Sequence, residues 1–363
     1  MKIKLQKEDL FNGLQKIQGI ITTKSSLPIL SYVLLNTEQK VLRITATDLD
    51  IGITCIIPVE NIEPGNICLP AKRFFEIIRE LPLSDIEIST KKNNLTNIKT
   101  KSCDFKIMGL DSEEFPKLPE FKESQSIKIK SDILKKAISL TSFAVSLDET
   151  RYILNGVLFH FQDSSLNIVA TDGRRLAIKK EKLPSSINKE IKIIIPIKAI
   201  RELERNLGDT EDIVMILGKN QIGFESSNLF LVSRLIEGDF PDYQQVIPPE
   251  AIHKIKINRQ LFWGAIRRAA LLATPDYQAI KLEVFKNKLV VSKSTPDIGE
   301  SYEELPIEYE GKEILIGFNP DYLLDVLKNL EDETIEFELT ESEKPGVIRK
   351  PDYIYIVLPM RLG

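Results

Sequence analysis

The sequence has little of what catalysis and export use. Its 363 residues include two histidines, His160 and His253, three cysteines, Cys55, Cys68 and Cys103, and one tryptophan, Trp263. Neither histidine stands near a cysteine or a carboxylate cluster. No G-x-G-x-x-G, Walker loop, metal-spaced Cys/His set or G-x-S-x-G occurs. Scattered cysteines in odd number read as reduced, mostly buried thiols in a cytosolic protein, not as a disulfide framework. The opening Met1-Lys2-Ile3-Lys4 lacks the apolar core of an export signal, and no apolar run approaches the ~18 residues of a membrane span. The expectation is a cytoplasmic protein with no catalytic residue, cofactor or metal. The net charge of −4 excludes a uniformly basic coat for wrapping nucleic acid, though not a local basic lining.

What is present is a repeated turn. Ala170-Thr171-Asp172-Gly173-Arg174-Arg175-Leu176 lies between the apolar runs Leu166–Val169 and Leu176–Ile178. Asp-Gly between such runs signals a hairpin, because glycine accepts the positive φ of a tight turn. Ala46-Thr47-Asp48-Leu49-Asp50-Ile51-Gly52 is a weaker copy upstream, and Ser294-Thr295-Pro296-Asp297-Ile298-Gly299 a worn one downstream. Asp48, Asp172 and Asp297 suit turns better than one catalytic acid, which would not need three copies.

Other rows repeat with the same period. A short strand and an amphipathic helix occur at Ile3–Leu14, Ile127–Ala137 and Ile255–Ala265, at offsets of 124 and 128 residues. A strand is expected at Ile29–Leu35, Tyr152–Phe159 and Ile280–Phe285. A second helix opens near proline after Leu69-Pro70, Ile195-Pro196 and Asn319-Pro320, where the missing N–H does no harm. A strand set closes each copy at Ile86–Leu110, Ile213–Leu235 and Ile335–Leu358. Domains commonly run to ~100–150 residues, and boundaries near 121 and 247 divide the chain into 1–121, 122–247 and 248–363. The expected fold class is α+β: three copies of one module, each with two helices covered by antiparallel sheets. Trp263, at apolar helical spacing, is expected in the core.

In this order, Arg151-Tyr152-Ile153-Leu154-Asn155-Gly156, the Ala170–Leu176 turn, Phe240-Pro241-Asp242-Tyr243 and the tail Leu358-Pro359-Met360-Arg361-Leu362 resemble the bacterial DNA polymerase III beta subunits, the sliding clamps. The resemblance covers the whole chain. It implies a head-to-tail homodimeric ring of six domains around double-stranded DNA, held without regard to sequence. It implies non-catalytic tethering of the polymerase III catalytic subunit, and contact with the clamp loader and with other polymerases and repair proteins through short linear peptides. The alternative is a scaffold of the same build that does not encircle DNA.

The resemblance also implies sites. Positions matching the peptide groove are Arg151, Leu154, Thr171, Gly173, Arg174, Arg175, Leu176, Pro241, Val246, Tyr322, Ile356, Leu358, Pro359 and Met360. Apolar members would take Leu and Phe anchors, and Arg151 and Arg175 could reach peptide carbonyls. DNA-facing cations would be Lys72, Arg73, Arg79, Lys135, Lys136, Lys198, Arg201, Arg205, Arg267 and Arg268. The six expected helices together carry +5, against −9 for the remainder of a chain whose net charge is −4. That contrast has the sign a DNA-enclosing ring needs, and it is modest enough to permit sliding. Ring closure would join Phe105 and Ile107 to Leu271 and Leu272 of a second copy. Gln245 stands where relatives often carry a basic residue, Arg174 where they carry histidine, and Gly363 follows the usual Arg-Leu end.

Overall fold

A computed structural model describes residues 1–22, 27–121, 124–187, 189–209 and 211–362; Gly363 lies outside them. The first third runs β1 Lys2–Gln6, α1 Lys7–Ile17, β2 Tyr32–Glu38, β3 Val41–Thr47, β4 Ile51–Pro58, β5 Glu60–Glu63, β6 Gly65–Pro70, α2 Ala71–Glu80, β7 Asp85–Thr90, β8 Leu95–Lys99 and β9 Asp104–Met108. The second runs β10 Gln125–Lys130, α3 Ser131–Ser139, β11 Gly156–Gln162, β12 Ser165–Thr171, β13 Arg175–Lys182, β14 Ile191–Pro196, α4 Ile197–Asn206, β15 Asp212–Leu217, β16 Gln221–Glu225 and β17 Leu229–Arg234. The third runs β18 Lys254–Asn258, α5 Arg259–Ala270, β19 Ile280–Phe285, β20 Lys288–Thr295, β21 Gly299–Pro306, β22 Ile314–Phe318, α6 Pro320–Asn329, β23 Thr334–Glu338, β24 Gly346–Lys350 and β25 Tyr353–Val357.

The helices form where apolar side chains recur at three- and four-residue steps. Leu10, Gly13, Leu14 and Ile17 bury one face of α1, and Phe262, Ala265, Ile266 and Ala269 one face of α5. Asn258 caps α5 by accepting from the Gln260 and Leu261 amides, and Asn319 caps α6 by accepting from Asp321. Of the three prolines expected at helix openings, only Pro320 is a first helical residue. Pro70 and Pro196 instead end β6 and β14 immediately before their helices.

Three expectations need correction. Ile29 to Ser31 and Tyr152 to Asn155 are 3-10 turns, so these two strands begin later, at Tyr32 and Gly156. Pro28 opens the first turn, and the Asp148 side chain caps the second by accepting from the Thr150 amide. Trp263 is only half-buried, with the Arg267 guanidinium 5.0 Å from its ring centroid. The free thiols are buried at Cys55 and Cys68 but not at Cys103.

Chain packing forms two compact units. One comprises Met1–Asp132 with Lys198–Leu235; the other comprises Ile133–Ile197 with the chain from Ile236 onward. In the first, the sheets run β5-β1-β7-β8-β9 and β10-β15-β16-β17-β4-β3-β2-β6. In the second, they run β14-β11-β12-β13-β25-β24-β23-β18 and β21-β20-β19-β22. Each eight-stranded sheet is completed by strands far apart in sequence: β17 pairs antiparallel with β4, and β25 with β13. The repeat shows in hydrogen bonds as well as in order. The strand before each second helix is bridged to the residue after the closing strands, as Cys68 to Leu110, Ile194 to Ile236 and Gly317 to Met360.

Candidate functional site

The hairpin between β12 and β13 is wired by its own side chains. The Asp172 Oδ1 atom accepts from the Arg174 and Arg175 amides at 2.8 and 2.9 Å. The Thr171 hydroxyl donates to the Arg175 carbonyl at 2.6 Å and accepts from the Gly173 amide at 3.0 Å. This is the local bonding by which Asp and Thr favour turns. Gly173 has φ of 84°, and a Cβ there would lie 3.3 Å from the Arg151 guanidinium.

The tail lies along this hairpin. Arg175 pairs with Val357 and Leu176 with Ile356, and the Leu358 amide donates to the Arg174 carbonyl at 2.8 Å. The chain then runs on past the strand until the Met360 amide donates to the Gly317 carbonyl at 2.8 Å. Leu176 and Ile356 are buried in a cluster with Leu158, Val169, Ile178, Ile194, Tyr243 and Val347. Both are nearly fully buried, whereas Leu358, two residues after Ile356, is 44% exposed. Tyr243 opens the 3-10 turn Tyr243–Val246, whose last residue, Val246, is 59% exposed. Leu154 and Pro241 line one concavity of about 230 Å³ together with Arg151, Tyr152 and Ile153.

The two arginines expected to reach peptide carbonyls divide. Arg151 is exposed and donates to the Asp172 carbonyl at 3.2 Å. Arg175 turns inward, its side chain 9% exposed. Its Nε meets Asp172 at 3.1 Å, Nη1 meets Asp325 of α6 at 2.6 Å, and Nη2 meets the Phe143 carbonyl at 2.6 Å. Burial works against its charge, but Asp325 first, then Tyr355 and Asp172, more than compensate and raise its pKa. Its guanidinium also lies 4.5 Å from the ring centroid of Tyr322, whose carbonyl accepts from the Tyr355 hydroxyl at 2.7 Å. Gln245 donates to Asp242 at 2.7 Å.

The candidate DNA-facing cations lie on four of the six helices, α2, α3, α4 and α5. Lys135 is half-buried, and the other nine are exposed. Most are tempered by neighbouring acids: Arg73 by Glu76, Arg79 by Glu80, Lys136 by Glu331, Lys198 by Asp48, Arg205 by Glu202 and Arg268 by Glu303. Lys72, Arg201 and Arg267 make no ion pair among the described residues. Exposed pairs of this kind are weak, so they lower the field without immobilising the cations.

The positions matched to ring closure lie on apolar surface. Phe105 is 40% exposed on the edge strand β9, with Ile107 half-buried beside it, and Leu271 is 79% exposed just after α5, followed by half-buried Leu272.

Sequence reasoning missed the partners behind the hairpin and the 3-10 turn. Asp325 and Phe143 hold Arg175. Buried His160 holds Tyr243 from Nδ1 at 2.8 Å and Glu190 from Nε2 at 2.7 Å. One signal existed for Asp325: a shift of 123 residues places it on Glu202, an acid at the same turn of α4. Two of the thiols are held in the neutral form: burial raises Cys55, and burial with Glu114 and Asp111 pushes Cys68 up to about 12. Among the described residues, no group of three His, Cys, Asp or Glu could hold a metal ion. No helix there is long and apolar enough to cross a membrane.

Residues 1–119, 128–242 and 244–361 match, in turn, the N-terminal, central and C-terminal domains of the DNA polymerase III beta subunit. The Beta sliding clamp of Bacillus subtilis is 34% identical over 376 residues, covering 99% of this chain and all of that one. The Beta sliding clamp of Chlamydia pneumoniae is 31% identical, over 100% and 99% of the two chains. A crystal structure of the Pseudomonas aeruginosa DnaN sliding clamp bound to griselimycin superposes with a TM-score of 0.95 at 32% identity, each chain fully covered. By domain content, relatives and fold, the chain belongs to the DNA polymerase III beta subunit family, the bacterial sliding clamps.

Proposed function

We propose that this chain is a DNA sliding clamp: two copies close head to tail into a ring on duplex DNA and hold the replicative polymerase there. The observation that carries the reading is the family match in three successive domains spanning nearly the whole chain. The domains are placed at 1–121, 122–247 and 248–363, so two chains supply six. Sliding clamps are non-catalytic processivity factors. Their effect is on local concentration: a tethered polymerase rebinds before it diffuses away.

The exposed helix cations face the duplex and contact phosphates without reading bases. The hairpin, the 3-10 turn at Tyr243–Val246 and the tail form the groove for linear peptides of polymerases, the clamp loader and repair proteins. Griselimycin, bound by the Pseudomonas aeruginosa clamp, is proposed as a ligand of the same groove here. The dimer contact joins β9, an edge strand with Phe105, to Leu271 and Leu272 at the end of α5 and to β21, the edge of another sheet. Lys99, Lys101 and Lys106 near the first edge complement Glu300, Glu303 and Glu304 on the second. The working place is the cytoplasm.

Retention on DNA of two topologies tests the ring. A clamp loaded on closed circles stays, and one loaded on linear duplex with free ends runs off. Equal retention on both overturns encirclement.

A further inference from the structure

The first and second Thr-Asp hairpins bond alike within themselves and differently to their surroundings. In the first, Asp48 Oδ1 accepts from the Asp50 and Ile51 amides at 3.1 and 2.8 Å, as Asp172 does in the second. Thr47 Oγ1 likewise repeats the bonds of Thr171, to the Ile51 carbonyl and from the Leu49 amide. Each hairpin is also tied to the second helix of the following repeat by one cation. In the first tie the cation belongs to the helix, where Lys198 of α4 meets Asp48. In the second it belongs to the hairpin, where Arg175 meets Asp325 of α6. The exposed lysine of the first tie has a side chain 50% exposed; the arginine of the second is 9% exposed and lies between the rings of Phe143 and Tyr322.

We infer that Arg175 is a positioning residue, one that shapes the peptide groove by bolting the Thr171–Leu176 hairpin to Tyr322 and α6 without touching the peptide. The inference rests on the groove reading above. Three of its donors are already engaged, by Asp172, Asp325 and the Phe143 carbonyl, and its guanidinium carbon lies over the Tyr322 ring. Tyr322 is thus held twice, through its ring by Arg175 and through its carbonyl by Tyr355. Only a planar fork can serve a carboxylate, a carbonyl and a ring together; an ammonium serves one at a time. The groove is thereby built before a peptide arrives, which removes an ordering cost from binding.

The test uses the full-length dimer, with griselimycin and a labelled peptide ending in Leu and Phe anchors as probes. Arg175→Ala and Asp325→Asn each weaken both probes roughly tenfold, and the double variant is no weaker than Arg175→Ala alone, since one network is removed once. Arg175→Lys recovers part of the loss. Without any probe, amide hydrogen exchange at Gly173–Arg175 speeds up in Arg175→Ala, in Asp325→Asn and in the double variant. Unchanged exchange overturns the inference whatever the probes do. So does wild-type affinity in Asp325→Asn beside a loss in Arg175→Ala, which would mark Arg175 as a direct contact. Should Arg175→Ala fail to fold, Asp325→Asn carries the test, its carboxylate being partly exposed. If the wild-type protein binds neither probe, or Met360→Ala leaves binding intact, the groove reading fails; the exchange data still decide the tie.

Discussion

Leu49 and Gly173 hold the same place in two copies of one turn, with nearly the same backbone twist: φ is 82° at the leucine and 84° at the glycine. The Thr-Asp bonding on either side forces that twist, so the turn imposes its geometry on whichever residue stands there. For glycine the conformation is free of strain; for leucine the Cβ crowds the backbone.

Leu49→Gly should therefore raise stability by about 1 kcal/mol, the strain relieved exceeding the lost chain entropy. Gly173→Val should do the reverse, costing at least ~1 kcal/mol and pushing Arg151 aside. Urea midpoints check both. A Leu49→Gly midpoint below wild type would show that its half-exposed side chain matters more than its φ.

Removing the chain from Pro359 onward deletes the residue that bridges to Gly317 and the end of the proposed groove. The dimer should remain folded while affinity for griselimycin falls by ~2 kcal/mol, roughly thirtyfold. Calorimetric titration measures it, and an unchanged affinity would move the groove elsewhere.

Replacing Leu271 and Leu272 by alanine should favour monomer in sedimentation velocity, each anchor contributing more than ~1 kcal/mol. Raising the salt should weaken the wild-type dimer as well, because the Lys99, Lys101 and Lys106 group and the Glu300, Glu303 and Glu304 group attract each other through water. A salt-insensitive dimer would place the contact on another surface.

Asp212 opens β15 beside Lys128 and Lys130, which hydrogen-bond its carboxylate at 2.8 Å each. Those bonds lower its pKa from the usual 3.8 to about 2. A carboxylate depressed by folding stabilises the native state above its unfolded pKa and loses that contribution as pH falls towards the folded value. Asp212→Asn should therefore flatten the fall in stability between pH ~4 and ~2. Chemical denaturation across that window checks it; an unaltered slope would assign the acid sensitivity to other carboxylates.

Much of this protein was legible in local pattern. Helical spacing located all six helices named from it, and the closing strands fell at β7–β9, β15–β17 and β23–β25 as expected. The turn residues of Ala170–Leu176 marked their hairpin. The misreadings were also local. Ile29–Ser31 and Tyr152–Asn155 carry strand-forming side chains, yet Pro28 and Asp148 start 3-10 turns there. A single proline or cap decides such a short stretch against propensity.

Periodicity, turn chemistry and the threefold order therefore belong to the sequence, because each is set by residues a few positions apart. The tertiary structure alone decided which arginine is a surface group and which is a bolt. Arg151 and Arg175 look equivalent in the sequence, but the second meets Asp325 across 150 residues. The sheet pairings of β4 with β17 and β13 with β25 are decided in the same way. A buried cation is held only where carboxylate, carbonyl and ring converge, and that convergence exists only once the distant strands have paired.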